Sequence, residues 1–176
     1  MAIDESRTFT PINIAVLTVS DTRTAEDDTS GDILAARIEA AGHTLAARTI
    51  VKDDAGLLSA QFETWIDDPA IDAIVSTGGT GLTGRDVTPE ALGRIREARE
   101  IPGFGELFRW LSFKTIGTST IQSRACAVVA RGTYIFALPG SNGAVKDGWD
   151  GILAEQLDSR NRPCNFVELM PRLREV

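Results

Sequence analysis

The residues with the clearest capacity for chemistry stand together in STGGTGLTGRD, residues 76–86, directly after the apolar run IDAIVS (71–76). Glycines let backbone N–H groups approach a phosphate or a planar ring closely. Two phosphate motifs match on paper and fail on chemistry. Gly79-x-Gly81-x-x-Gly84 spells the dinucleotide fingerprint, whose helix opens within the motif and whose acidic residue follows about 20 residues on. Here Thr88-Pro89 marks a later helix start, and the helix-like RIREARE occupies the region where the acid belongs. Gly79 to Gly84 also has P-loop spacing, but Arg85-Asp86 replaces the Lys-Ser/Thr that reaches the β- and γ-phosphates. A plain connecting turn needs only a few residues, whereas this one spends about eleven, mostly small and polar. Asp86 would repel bare phosphate. It becomes useful with Mg²⁺ between the two, because a carboxylate plus ligand phosphates is a typical Mg²⁺ shell. The alternative for Asp86 is a helix-dipole carboxylate just ahead of Thr88.

The elements that must position this loop follow from hydrophobic patterning. INIAVLTVS (12–20), TLAARTI (44–50), IDAIVS (71–76), ACAVVA (125–130) and TYIFAL (133–138) read as strands. Arg131-Gly132 makes a tight turn between the last two. Helices are expected after Ser30, as cap, to Ala41 with Gly42 closing; over 55–67; from a Thr88 cap with Pro89 at the first position to about Arg99; over 103–113; and over 144–157. Trp65 and Trp149 fall on helix faces and read as core. Phe104, Phe108, Trp110 and Phe113 read as core or subunit interface. Strands apolar on both faces, alternating with helices, imply an α/β three-layer sandwich with a mostly parallel central sheet. Ligands of such sheets bind at the carboxyl ends of strands, which selects the loops 20–31, 51–54, 76–88 and 139–143 together. Residues 1–11 read as a flexible arm and 12–176 as a single domain.

Composition removes several alternatives. The net charge of −7 is spread along the chain, against nucleic-acid binding, which needs a basic patch. Cys126, Cys164 and His43 lack metal-site spacing, so neither a zinc site nor a disulfide framework is expected. The acidic, polar N-terminus is unlike a secretory signal, and no apolar run approaches a membrane span of about 20 residues. A cytoplasmic location is the expectation.

STGGTGLTGRDVTPEAL resembles the signature of the MoaB/Mog family of molybdenum cofactor biosynthesis proteins. The likeness extends to LTVSDTRTAEDDTSG, VKDD, PGFGELFRWLSFKTIGTSTIQSRA and FALPGSNGAVKDGWDGILAEQLDSRNRPCNF, nearly the whole chain. GFGELFR, IGTSTIQSRA and RPCNF are similar to the MoaB branch in particular. The resemblance implies a molybdopterin-binding α/β fold and a homo-oligomer built on a trimer (a trimer or a dimer of trimers), with other proteins of cofactor biosynthesis as possible partners. It implies adenylyl transfer in catalytic members: molybdopterin's terminal phosphate attacks the α-phosphate of Mg-ATP and releases pyrophosphate. The family's two key carboxylates fall on Asp53 and Asp86, with Mg²⁺ as their metal. PGSNG departs from the Pro-Gly-Asn-Pro of many relatives, which puts details of pterin contact in question. Alternatives are a carrier that binds molybdopterin without adenylylating it, and a nucleotide pyrophosphate hydrolase on a related fold.

Around these carboxylates, Gly78, Gly79, Thr80 and Gly81 would offer backbone donors, and Ser20 and Asp21 would share their rim. Thr118, Ser119 and Arg124 offer hydroxyls and a guanidinium, although Arg124 suits a carboxylate partner equally well. Pro139, Gly140 and Ser141 precede a helix whose N-terminus can face an anion.

Overall fold

The computed structural model describes residues 3–175. Its six-stranded sheet has the order β2-β1-β3-β6-β5-β4. The strands are β1 (Asn13–Val19), β2 (Thr44–Val51), β3 (Ala73–Thr77), β4 (Arg99–Glu100), β5 (Cys126–Ala130) and β6 (Thr133–Leu138). β1, β2, β3 and β6 run parallel, and β5 and β4 are antiparallel additions at one edge. Arg131 and Gly132 both have positive φ, 49° and 99°, and close the β5–β6 hairpin in two residues.

Side chains alternate between two apolar layers along every central strand, the period of a sheet covered on both faces. Ile14, Val16, Val75, Tyr134 and Phe136 pack against α1 (Thr29–Ala40), α4 (Pro102–Ile116) and the helix beginning with α5 (Asn142–Gly148). Ala15, Leu17, Ile74 and Ile135 pack against α2 (Ala55–Ile66) and α3 (Thr88–Leu92). The α/β three-layer sandwich is thus present. Trp65 and Trp149 are buried, as are Phe104 and Phe108, whereas Trp110 and Phe113 are more than half exposed.

Three helix boundaries differ from the patterning. α1 is capped by Asp28, whose carboxylate accepts from the Gly31 N–H at 3.1 Å, while Ser30 is buried inside the first turn. A carboxylate there also meets Arg48 of β2, which the local sequence does not reveal. Thr88 does not cap α3: it is the first residue of that helix, and its hydroxyl donates to the Gly78 carbonyl at 2.9 Å. Nor does α3 reach Arg99. It ends at Leu92, because Arg131 and Glu63 capture the Arg96 carbonyl and N–H (2.9 and 3.0 Å) and the chain then turns into the edge strand β4. The described residues of the N-terminal arm lie along the C-terminal segment, with Asp4 N–H donating to the Arg160 carbonyl (3.0 Å) and Thr10 N–H to Ser159 Oγ (2.8 Å).

Candidate functional site

β1 is flanked by β2, reached through α1, and by β3, reached through α2 on the other face. That reversal leaves a crevice outside the strand ends, where open α/β sheets bind ligands. A groove of about 410 Å³ occupies it, lined by Val19, Ser20, Gly78 to Gly81, Asp86 and Pro139 to Ser141, with Arg23 on one wall. A second hollow of about 220 Å³ shares Thr80, Gly81, Pro139 and Ser141 with the first, and adds Ser119 and the face of α4 around Phe108 and Ser112.

The glycines are required here by space. Gly78 has φ 111°, and a Cβ on it would lie 2.3 Å from the Val19 carbonyl oxygen. Gly79 has φ 65°, and a Cβ would lie 2.5 Å from Thr88 Oγ1 and 3.2 Å from Asp53 Oδ1. The loop therefore lies tight against β1 and α3, and Asp53 stands beside it. Thr80 is 2% exposed, and its hydroxyl has no hydrogen-bond partner among the described residues. A buried hydroxyl left without a partner is costly, and this one lines both hollows.

The two expected carboxylates differ in their surroundings. Asp86 is turned back on its own loop, accepting from the Thr83 N–H (2.8 Å) and hydroxyl (2.7 Å). Burial pushes its carboxyl up, but the Thr83 and Gly81 hydrogen bonds and the Arg124 charge outweigh it and hold the group below the usual range. Asp53 is half-buried, and its carboxylate accepts no hydrogen bond among the described residues. Its own N–H donates to Asp21 at 3.3 Å. Burial and then the charges of Asp21 and Asp86 raise its carboxyl above the ordinary value, with Arg85 offsetting part of the effect. Arg85 is itself committed to Asp21 through two hydrogen bonds of 3.0 and 2.6 Å, which lower Asp21.

This donor set fits a hard cation. Among the described residues Asp53 is a carboxylate without a donor, raised by burial and then by the negative charge of Asp21 and Asp86, a condition a divalent ion relieves. No group of three His, Cys, Asp or Glu side chains among the described residues could hold a metal by itself. Ligand phosphates would have to complete the shell, as is usual for Mg²⁺.

Of the other expected residues, Ser20, Gly140 and Ser141 line the groove. Ser20 and Ser141 also serve their own loops, accepting from Arg23 N–H (3.1 Å) and Ala144 N–H (3.2 Å). Arg124 is spent inside the chain: it donates to the carbonyls of Gly81 (2.7 Å) and Asp86 (2.6 Å) and pairs with Glu90. It braces the glycine loop. Thr118 is exposed and lines neither hollow. Arg23 lines the groove although it was not among the expected site residues; the available signal was a lone arginine in the strand-end loop of LTVSDTRTAEDDTSG, in an acidic chain.

A larger depression of about 690 Å³ lies at the opposite end of the sheet, around Asp67, Arg99, Arg131 and Arg174. We do not assign the site there. Arg131 is paired with Glu63 and Asp67, and Arg99 and Arg174 donate to the Leu173 and Arg131 carbonyls.

The chain is similar to known proteins over most of its length. A family model described as "Probable molybdopterin binding domain" matches residues 15–159. Molybdenum cofactor biosynthesis protein B of Escherichia coli (strain K12) is 51% identical over 161 residues, covering 92% of this chain and 94% of that protein. A crystal structure of a molybdenum cofactor biosynthesis protein B superposes with a TM-score of 0.85 at 33% identity, covering 95% of this chain and 98% of that one. The molybdopterin biosynthesis Mog protein from Mycobacterium ulcerans superposes with a TM-score of 0.76 at 27% identity, covering 92% and 99%.

Proposed function

The chain belongs to the MoaB/Mog family of molybdenum cofactor biosynthesis proteins, and from that premise we propose that its groove binds molybdopterin and adenylylates it with Mg-ATP. The observation that carries the proposal is Asp53. It is a carboxylate without a donor among the described residues, beside a glycine loop at the switch point of the sheet, with Asp86 within electrostatic range.

Adenylyl transfer joins two polyanions, so the protein's task is positioning and charge neutralisation. The pterin's terminal phosphate oxygen forms a bond to the α-phosphorus of ATP as the bond to the bridging β-phosphate oxygen breaks, and pyrophosphate leaves. Mg²⁺, when bound, neutralises phosphate charge. Asp53 and Asp86 would hold it from one side. The Gly78 N–H is taken by the Leu138 carbonyl (2.9 Å) and that of Gly81 by Asp86, so the backbone N–H groups of Gly79 and Thr80 and the Thr80 hydroxyl would face the phosphates, with Ser20 and Ser141 closing the rim. Asp21 acts through Arg85 and the Asp53 backbone rather than as a ligand.

The test is incubation with molybdopterin, ATP and Mg²⁺, following adenylylated pterin by chromatography. Product from the wild type and none from a folded Asp53→Ala supports an adenylyltransferase. One observation favours the carrier alternative: Asp86 is spent on Thr83 and no three-ligand cluster is present among the described residues. Pterin binding without product in this assay would establish that alternative.

A homo-oligomer on a threefold axis belongs to the same proposal. Trp110, Phe113, Ile116 and Ile121 are all more than half exposed, and a contiguous apolar surface is what a subunit interface covers. A monomer by light scattering at micromolar concentration would contradict it.

A further inference from the structure

We propose that Arg23 is the guanidinium that grips a phosphoryl group in the groove; this rests on the groove being the phosphate-handling site. Arg23 is the only cationic side chain among the residues lining it. Arg85, the nearest alternative, is tied to Asp21, and Arg124 is tied to Glu90 and two carbonyls. A chain of net charge −7 supplies no general attraction for an anion, so a local cation must do so.

Arg23 is held in place with donors to spare. One terminal nitrogen bonds the Ser30 hydroxyl and the other reaches the Gly140 carbonyl at 3.1 Å. Both acceptors are neutral. The buried Asp28 carboxylate is 3.6 Å away, beyond hydrogen-bond length, and its close partners are Arg48 (2.8 Å) and the Thr18 hydroxyl (2.7 Å). Asp28 therefore positions Arg23 without forming a direct hydrogen bond to it. The Arg23 Nε–H has no acceptor among the described residues, and each terminal nitrogen retains a second hydrogen, so a fork suited to two phosphoryl oxygens remains. The side chain is 30% exposed and clamps the loop after β1 to the loop after β6, across the groove from the glycines. Thr80, with its unpartnered buried hydroxyl, lines the same groove.

A phosphoryl group could come from the nucleotide or from the pterin, and binding measurements separate them. Titration calorimetry of the full chain would use inorganic pyrophosphate, Mg-ATP and molybdopterin as separate probes. Wild type would be compared with Arg23→Lys, Arg23→Gln and the charge-matched control Arg37→Gln; Arg37 pairs with Asp150 on the surface. Arg23→Gln is expected to weaken at least one probe about tenfold. Arg23→Lys, keeping charge but losing the fork, should fall between, and Arg37→Gln should stay within about twofold of wild type. Loss confined to molybdopterin would identify the pterin phosphate, and loss confined to Mg-ATP the nucleotide. If Arg23→Gln and Arg37→Gln bind every probe as wild type does, the inference is overturned while the proposed function stands. Arg23-dependent anion binding without adenylylated pterin would leave the inference standing and remove the activity. Failure of wild type to bind any probe would overturn both. Should Arg23→Gln fail to fold, Arg23→Lys alone decides: affinity equal to wild type in every arm contradicts the fork.

Discussion

The two ends of the parallel strands carry similar residues and use them differently. At the amino end, around the Arg131 hairpin, the half-buried charge is spent: Arg131 pairs with Glu63 and Asp67 and donates to the Arg96 carbonyl, while the exposed Arg99 and Arg174 each donate to one backbone carbonyl, of Leu173 and Arg131. Among the buried side-chain atoms of the described residues there, the Arg131 Nε–H alone lacks a partner. At the carboxyl end, among the described residues, the Asp53 carboxylate has no donor, the Thr80 hydroxyl has no partner, and Arg23 keeps part of its fork free. The larger hollow is at the first end, and the buried hydroxyl without a partner lines the groove at the second. Volume alone would select the amino end; the donor-free carboxylate and the buried hydroxyl without a partner are what place our proposed site at the carboxyl end.

The comparison can be broken by substitution, beginning with the largest effect. Asp53→Ala is expected to lower adenylylation by on the order of 1,000-fold, about 4 kcal/mol of transition-state stabilisation, with a native melt. Near-normal turnover would remove Asp53 from the chemistry. Asp28→Asn is expected to cost about 3 kcal/mol at pH 7, because it leaves two arginines facing a neutral buried amide. Burial raises the Asp28 carboxyl, but Arg48, Thr18 and Gly31 N–H outweigh burial and hold it low. Its stabilisation is therefore present above the unfolded value and lost as pH falls through the folded one. The deficit of Asp28→Asn should shrink toward pH 3 in denaturant titrations.

At the opposite end, Arg131→Ala should cost about 1–2 kcal/mol by unpairing Glu63 and leave turnover within about twofold. A comparable loss of turnover there would erase the distinction between the ends. The smallest effect has the opposite sign. Asp53 is raised by burial and by Asp21 and Asp86, so its ionised form costs stability. Asp53→Asn should melt slightly higher than wild type at pH 7. The gain should vanish near pH 3, below the ordinary aspartate value of about 3.9, where wild type is protonated in both states. A lower melt at pH 7 would mean that Asp53 has a stabilising partner.

Much of this was legible in the sequence, for physical reasons that also mark the limits. Strands buried on both faces must be continuously apolar, so β1, β3 and β6 declared themselves. The glycine loop was legible because close packing against Val19 and Thr88 excludes a Cβ. Asp53 was selected by family resemblance alone; an aspartate after a strand is ordinary turn chemistry. The cap of α1 and the end of α3 were set by long-range partners, Arg48 in one case and Glu63 with Arg131 in the other, and local spacing cannot report those. Arg124 had two readings, a phosphate or a carboxylate partner, and within the chain its guanidinium is engaged by Glu90 and two loop carbonyls. Arg23 lies within LTVSDTRTAEDDTSG but was not singled out there, because its role depends on Ser30 and on Gly140, a residue 117 positions away.

The most direct test of the difference between the two ends is hydrogen–deuterium exchange of the full chain with and without molybdopterin and Mg-ATP. Exchange should slow in the loops 20–31, 51–54, 76–88 and 139–143 and remain unchanged at residues 94–99 and in the 131–132 turn. Protection centred on the Arg131 hairpin, or none in the glycine loop under saturating ligand, would contradict the assignment of the site to the carboxyl end of the sheet.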